Sequence, residues 1–153
     1  MRIIQHALAA IVLAALALPH PAPAANAPKA ARKAASVEAI LITASNKKGG
    51  VDPKLAAYAA HLKRNFPFDT FRHSGGGGAS LPSGGRATIN LPGGQRLELE
   101  DDPDTGIRLK VYWMVGSEVV ISTTLTLNPG IPAALARRPA DDGDVPIVLL
   151  IAR

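Results

Sequence analysis

GIRLKVYWMVGSEVVISTTLTL, residues 106–127, decides how the rest of the chain is read. Its apolar residues Ile107, Leu109, Val111, Trp113, Val115, Val119, Ile121, Leu125 and Leu127 sit on odd positions. Arg108, Lys110, Tyr112, Ser122, Thr124 and Thr126 hold even ones. A period of two belongs to a strand with one face on a core and the other in water. Gly116-Ser117 breaks the run, so the stretch reads as a β-hairpin. Opposed residues share a face, so the two odd-numbered sets should meet: Val115 with Val119, Trp113 with Ile121, Leu109 with Leu125, and Ile107 with Leu127. That register needs a three-residue loop, Gly116-Ser117-Glu118. A two-residue turn of type II′ suits Gly116 better locally, but it sets Trp113 against Val120 and mixes the faces. The longer loop is the expectation.

Outward from the hairpin, the same period recurs. Ala87, Ile89 and Leu91 alternate with Thr88 and Asn90, and Leu97 and Leu99 with Arg96, Glu98 and Glu100; Pro92-Gly93-Gly94 between them marks a second hairpin. Residues 37–45 (VEAILITAS) and 145–152 (VPIVLLIA) lack clean alternation, as strands buried on both faces do. These first and last strands are expected to meet at the centre of the core. Residues 68–73 predict a further strand and residues 131–135 a short extended piece. Residues 74–80 (SGGGGAS) predict a flexible loop. Asp52-Pro53 is a helix start, a capping carboxylate followed by proline at the first helical position. Leu55, Tyr58, Ala59, Leu62 and Phe66 then repeat at three and four, and Pro67 stops the helix near Arg64 or Asn65. The fold class that follows is mostly β: an antiparallel β-sandwich or partly open barrel of about seven strands with one helix near residues 53–65. The alternative is α+β, the helix packed on a single antiparallel sheet.

The first 24 residues read as a signal peptide. Arg2 supplies charge, residues 7–18 (ALAAIVLAALAL) an apolar run too short to span a bilayer, and Ala22-Pro23-Ala24 a cleavage site. Residues 25–35 read as a disordered linker and 36–153 as a single β-rich domain. Cysteine is absent, which excludes disulfides, thiolate metal sites, a cysteine nucleophile and cysteine lipidation. The expected location is periplasmic or extracellular, in a bacterium. The net charge of +5 is uneven, with Lys and Arg in excess before residue 101 and Asp and Glu after it. Lys29, Arg32 and Lys33 fall in the linker and Lys47-Lys48 in a loop, where such charges serve solubility, so no nucleic-acid partner is expected; the expected partner is an envelope protein or a cell-wall polymer.

No catalytic signature is present. Residues 74–80 lack the G-K-[ST] ending of a phosphate loop, and there is no G-x-S-x-G elbow. His61, Asp69 and His73 supply two imidazoles and a carboxylate, the minimum for acid–base work or zinc, without a supporting spacing. They define a hydrolase alternative. Two acidic turns, residues 100–104 and 141–144, offer Asp102, Asp104, Asp142 and Asp144 as hard oxygen ligands, which defines a calcium-stabilised adhesion-type alternative. Arg108, Lys110 and Tyr112 line the outer face of the central strand as a candidate binding face. No cofactor is implied. The leading expectation is an exported, non-enzymatic binding or accessory domain of the bacterial cell envelope.

Overall fold

The computed structural model describes residues 32–102, 106–139 and 143–153. The expected signal peptide, Asp104 and Asp142 lie outside the described residues. Among the described residues nine strands are present: β1 (Ala35–Ser45), β2 (Gly50–Val51), β3 (Thr70–Leu81), β4 (Arg86–Leu91), β5 (Gln95–Asp102), β6 (Ile107–Val115), β7 (Glu118–Leu127), β8 (Ala133–Ala136) and β9 (Val145–Ala152). Between β2 and β3, a 3₁₀ segment (Pro53–Tyr58) runs directly into α1 (Ala59–Asn65). The fold is mostly β: a curled five-stranded sheet, ordered β2-β3-β1-β9-β8, and a four-stranded sheet, ordered β4-β5-β6-β7. All pairings are antiparallel except the short one between β2 and β3.

β1 and β9 pair with each other at the centre of the larger sheet, as their unbroken apolar runs predict. Both faces of the two strands are covered. Val37, Ala39, Leu41, Val148, Leu150 and Ala152 face the second sheet, where they meet Leu97, Leu99, Leu109, Val111 and a fully buried Trp113. Ile40, Ile42, Ala44, Ile147, Leu149 and Ile151 face the other way, onto Leu55 and Leu62 of the helical segment and Phe71. The molecule is therefore layered as helix, sheet, sheet, with two apolar cores sharing one central sheet. Full burial of an aliphatic or aromatic side chain contributes about 1.5–3 kcal/mol, so the two cores dominate stability.

The central hairpin satisfies both constraints that conflicted in the sequence. Trp113 faces Ile121, Leu109 faces Leu125 and Ile107 faces Leu127, as the face pattern requires. The loop is nevertheless the two-residue one: Val115 pairs with Glu118 and Met114 with Val119. A bulge between Trp113 and Met114 leaves Val120 as the extra residue and restores the register beyond it. Gly116 has φ +59°, and no residue other than glycine has positive φ among those described, which fits a type II′ turn. The expected three-residue loop is thus corrected.

The second correction concerns residues 74–80. They form the body of β3, not a loop, paired with β1 from Leu81 to Thr70. Their glycines serve a close approach. A Cβ on Gly77 would lie 2.9 Å from the carbonyl oxygen of Asn90 and 2.9 Å from Cγ2 of Ile89, so β4 closes on β3 only because that atom is missing. A bulge at Leu41/Ile42 leaves Ser74 unpaired and switches the faces of β3. Phe71 and His73 consequently look toward the helix, while Leu81, Ala79 and Gly77 look toward the second sheet. Residues 100–102 also belong to a strand, the end of β5, rather than to an acidic turn.

Candidate functional site

The glycine strand and the helical segment frame a cleft of about 600 Å³ on the helix side of the larger sheet. Its floor is the bare backbone of glycines 76–78 with Ala39 and Ile40 beside it; Lys54, Ala57 and Tyr58 form one wall, and His73 and Glu38 stand at its rim. Sequence and geometry explain the space. Glu38 and Ile40 of β1 pair with Gly78 and Gly76, so two helix-facing positions of β3 carry no side chain where neighbouring strands carry long ones. The volume lies in the range of small-ligand sites, about 300–1,000 Å³.

Asp52 builds the wall. Its Oδ1 accepts the Lys54 N–H at 2.9 Å, capping the 3₁₀ segment, and its Oδ2 accepts the His73 N–H at 3.3 Å. The backbone N–H of Asp52 donates to the Phe71 carbonyl at 2.8 Å, tying the helix start to β3. The Lys54 N–H, then the His73 N–H and the charges of Lys54 and His73, hold the Asp52 carboxyl below its ordinary range against an opposing desolvation. One carboxylate thus ties the backbones of Lys54 and His73 together beside the cleft. No described carboxylate forms an ion pair with Lys54, whereas Glu38 is paired with Arg153 at 2.6 Å. The cleft therefore carries Lys54, coupled to the nearby Asp52 charge but in no ion pair among the described residues, over an uncharged floor.

The three residues of the hydrolase alternative are only partly associated with this site. His73 lines the cleft; His61 is half-buried on α1, where its carbonyl accepts from Asn65, and Asp69 is exposed just before β3. No hydrogen bond or ion pair joins the three, and the carboxylate that reaches His73 is Asp52. Among the described residues, no group of three or more His, Asp or Glu is placed to hold a metal ion. Of the expected calcium ligands, Asp102 lies 3.9 Å from Arg108 and Asp144 lies 4.0 Å from Lys47.

Arg108, Lys110 and Tyr112 do share the outer face of β6, as their parity predicts. There they meet a compensated charge array: Arg86–Glu100 at 3.4 Å, Arg96–Glu98 at 3.2 Å, and Lys110 directly opposite Glu100. The hollow on that face, bordered by Arg86, Glu98, Glu100 and Tyr112, is about 260 Å³. Exposed pairs of this kind contribute about 0–1 kcal/mol each and leave little net field for a ligand.

A further polar centre, on Asp101, is structural. Its side chain is fully buried, on the same parity as Leu97 and Leu99; Oδ2 accepts the Gly84 N–H at 2.8 Å and Oδ1 pairs with Arg32 at 2.6 Å. Arg32 also donates to the Gly106 carbonyl. The carboxylate therefore fixes the β3–β4 turn and anchors chain within the stretch read from the sequence as linker.

No family model, curated protein or solved structure matches the chain. No described helix is long and apolar enough to cross a membrane.

Proposed function

We propose that this chain is a non-enzymatic binding domain exported to the bacterial cell envelope, and that the glycine-floored cleft takes a segment of cell-wall polymer. The observation that carries the reading is the cleft itself: a backbone floor with an aromatic wall, and a cation with no ion-pair partner among the described residues. A bare strand lets a sugar ring lie close, and the Tyr58 side chain in the lining supplies apolar aromatic surface for the C–H side of such a ring. Lys54 supplies a charge-assisted hydrogen bond to a carboxylate borne by the polymer. Binding is favoured over hydrolysis because no described carboxylate hydrogen-bonds the imidazole of His73, the one member of the expected His/Asp set that lines the cleft, so the base–orienter pairing of an acid–base site is missing among the described residues.

Gly78→Trp tests the reading. A Cβ at Gly78 meets nothing closer than the Val37 carbonyl at 3.4 Å, so the side chain starts into the cleft without a backbone clash. Co-sedimentation with purified peptidoglycan sacculi should be lost in this variant and retained in His73→Ala. Equal binding by Gly78→Trp and the parent chain would place the contact elsewhere. If sacculi fail to bind either but an envelope protein is captured in a Gly78-dependent manner, the cleft stands and the polymer does not. Turnover of sacculi that disappears in His73→Ala would favour the hydrolase reading.

A further inference from the structure

The two sheets have four edges, and among the described residues three are protected. β2 and β8, at the ends of the larger sheet, are two and four residues long. β4, at one end of the smaller sheet, is closed by β3, with Gly77 against Asn90 and Ile89 and Gly75 against Pro92. β7 differs: it is ten residues long, EVVISTTLTL, stands last in the order β4-β5-β6-β7, and no described segment pairs with its outer edge. Long free edges are usually guarded by lysine, proline or inward charge, because their unpaired N–H and C=O groups template another strand. β7 has no proline and no lysine; its single charge is Glu118 at the turn, and its single irregularity is the bulge at Val120.

The strand is also self-complementary. Turned antiparallel about Thr123, a second β7 sets Ile121 against Leu125, Ser122 against Thr124 and Thr123 against itself. Across residues 121–125 each residue then meets one from its own face: Trp113, which faces Ile121, and Leu109, which faces Leu125, place the apolar pair on the core side, leaving the hydroxyl pair in water; the match ends at the bulge, where core-packed Val120 stands opposite exposed Thr126. No like charges oppose one another. A foreign strand would have to supply both matches, whereas a second copy supplies them by symmetry.

We infer that the chain forms a twofold dimer through β7, joining two four-stranded sheets into one continuous eight-stranded sheet. An interface of one strand pair is small, in the class below about 1,200 Å² typical of reversible association, so the dimer exchanges with monomer. The cleft lies on the other sheet, and this inference is independent of what it binds.

Sedimentation velocity of the full chain from about 1 to 200 µM should show monomer converting to dimer, a range that brackets micromolar dissociation. Ser122→Glu with Thr124→Glu places like charges opposite one another across the twofold while facing water in the monomer, where Thr124 neighbours Lys110. This double variant should weaken the dimer about 100-fold or more at unchanged melting temperature of the monomer. Mixing it with the Ser122→Lys, Thr124→Lys chain should restore a 1:1 heterodimer. The lysine chain alone serves as the like-charge variant if the glutamates impair folding. A parent chain that stays monomeric at the highest concentration, or a dimer indifferent to these substitutions, overturns the inference.

Discussion

Gly77→Ala tests the reading of β3 as a packed strand with a single methyl group. The added Cβ would stand 2.9 Å from both the Asn90 oxygen and Ile89 Cγ2, distances that real Cβ contacts essentially never show. One of those contacts is backbone, so relief requires moving β4 rather than turning a flexible side chain. Overpacking of this kind costs about 1–3 kcal/mol. The loss of glycine's freedom in the unfolded chain returns about 0.4–1 kcal/mol, leaving a net destabilisation near 1–2 kcal/mol. For a domain of this size each kcal/mol moves the melting temperature by roughly 4 °C, so a fall of about 4–8 °C is expected by calorimetry. Gly78→Ala is the matched control: its Cβ has 3.4 Å to the nearest atom, and its melting temperature should stay level or rise. If the two variants melt alike, residues 74–80 behave as the flexible loop their composition suggests, and the close approach of β3 and β4 is refuted.

Asp101→Ala removes the buried acceptor of the Gly84 N–H and should cost about 2–3 kcal/mol in chemical denaturation, with Arg32→Ala costing less because its side chain is 28% exposed; equal, negligible losses would contradict a structural role for the pair. Deleting residues 145–153 removes a strand with six consecutive buried residues beside β1. The lost burial, about 10 kcal/mol, is comparable to the whole stability of a domain, so the truncated chain should be unfolded by circular dichroism. Because Asp52 titrates below its unfolded value of 3.8, its contribution is present above that pH and is lost as pH falls through the lower folded value. The melting temperature of Asp52→Asn should therefore depend less on pH below 3.8 than that of the parent chain; parallel acid limbs would contradict the cap.

The elements whose side chains alternate were legible because alternation is a one-dimensional record of a buried face. Leu97 and Leu99, Trp113 with Ile121, and Leu109 with Leu125 occupy the places their parity assigns, and Asp52-Pro53 starts the helical segment that ends at Asn65. The unpatterned runs of β1 and β9 also spoke plainly, since only a strand covered on both sides tolerates them. What stayed hidden depends on partners distant in sequence. A glycine run has no side chains to display a period, and β3 is a strand because β1 pairs with it and β4 packs on it. The bulge at Val120 arises where a local turn preference and a long-range face pattern disagree by one residue, and the chain satisfies both by leaving one residue unpaired. Asp101 was read within an acidic turn, although its parity with Leu97 and Leu99 carried the signal that it points inward. At the candidate site, His73 was visible as an imidazole, but its carboxylate neighbour Asp52 lies 21 residues away and is brought to it by the pairing of β2 with β3. Lys54 gave no sequence signal beyond an ordinary surface position, and Tyr58 and Glu38 only their places in the apolar helix stripe and the first strand, because a cleft made by missing side chains appears only when the strands are assembled.

The most direct test of the cleft as a binding site is an amide-shift titration of ¹⁵N-labelled protein with soluble peptidoglycan fragments. Binding in the cleft should give saturable shifts concentrated at glycines 76–78, Lys54, Tyr58 and His73, with Arg108, Lys110 and Tyr112 on the opposite sheet unmoved. Saturable shifts centred on Arg108, Lys110 and Tyr112, with the glycine strand silent, would contradict it.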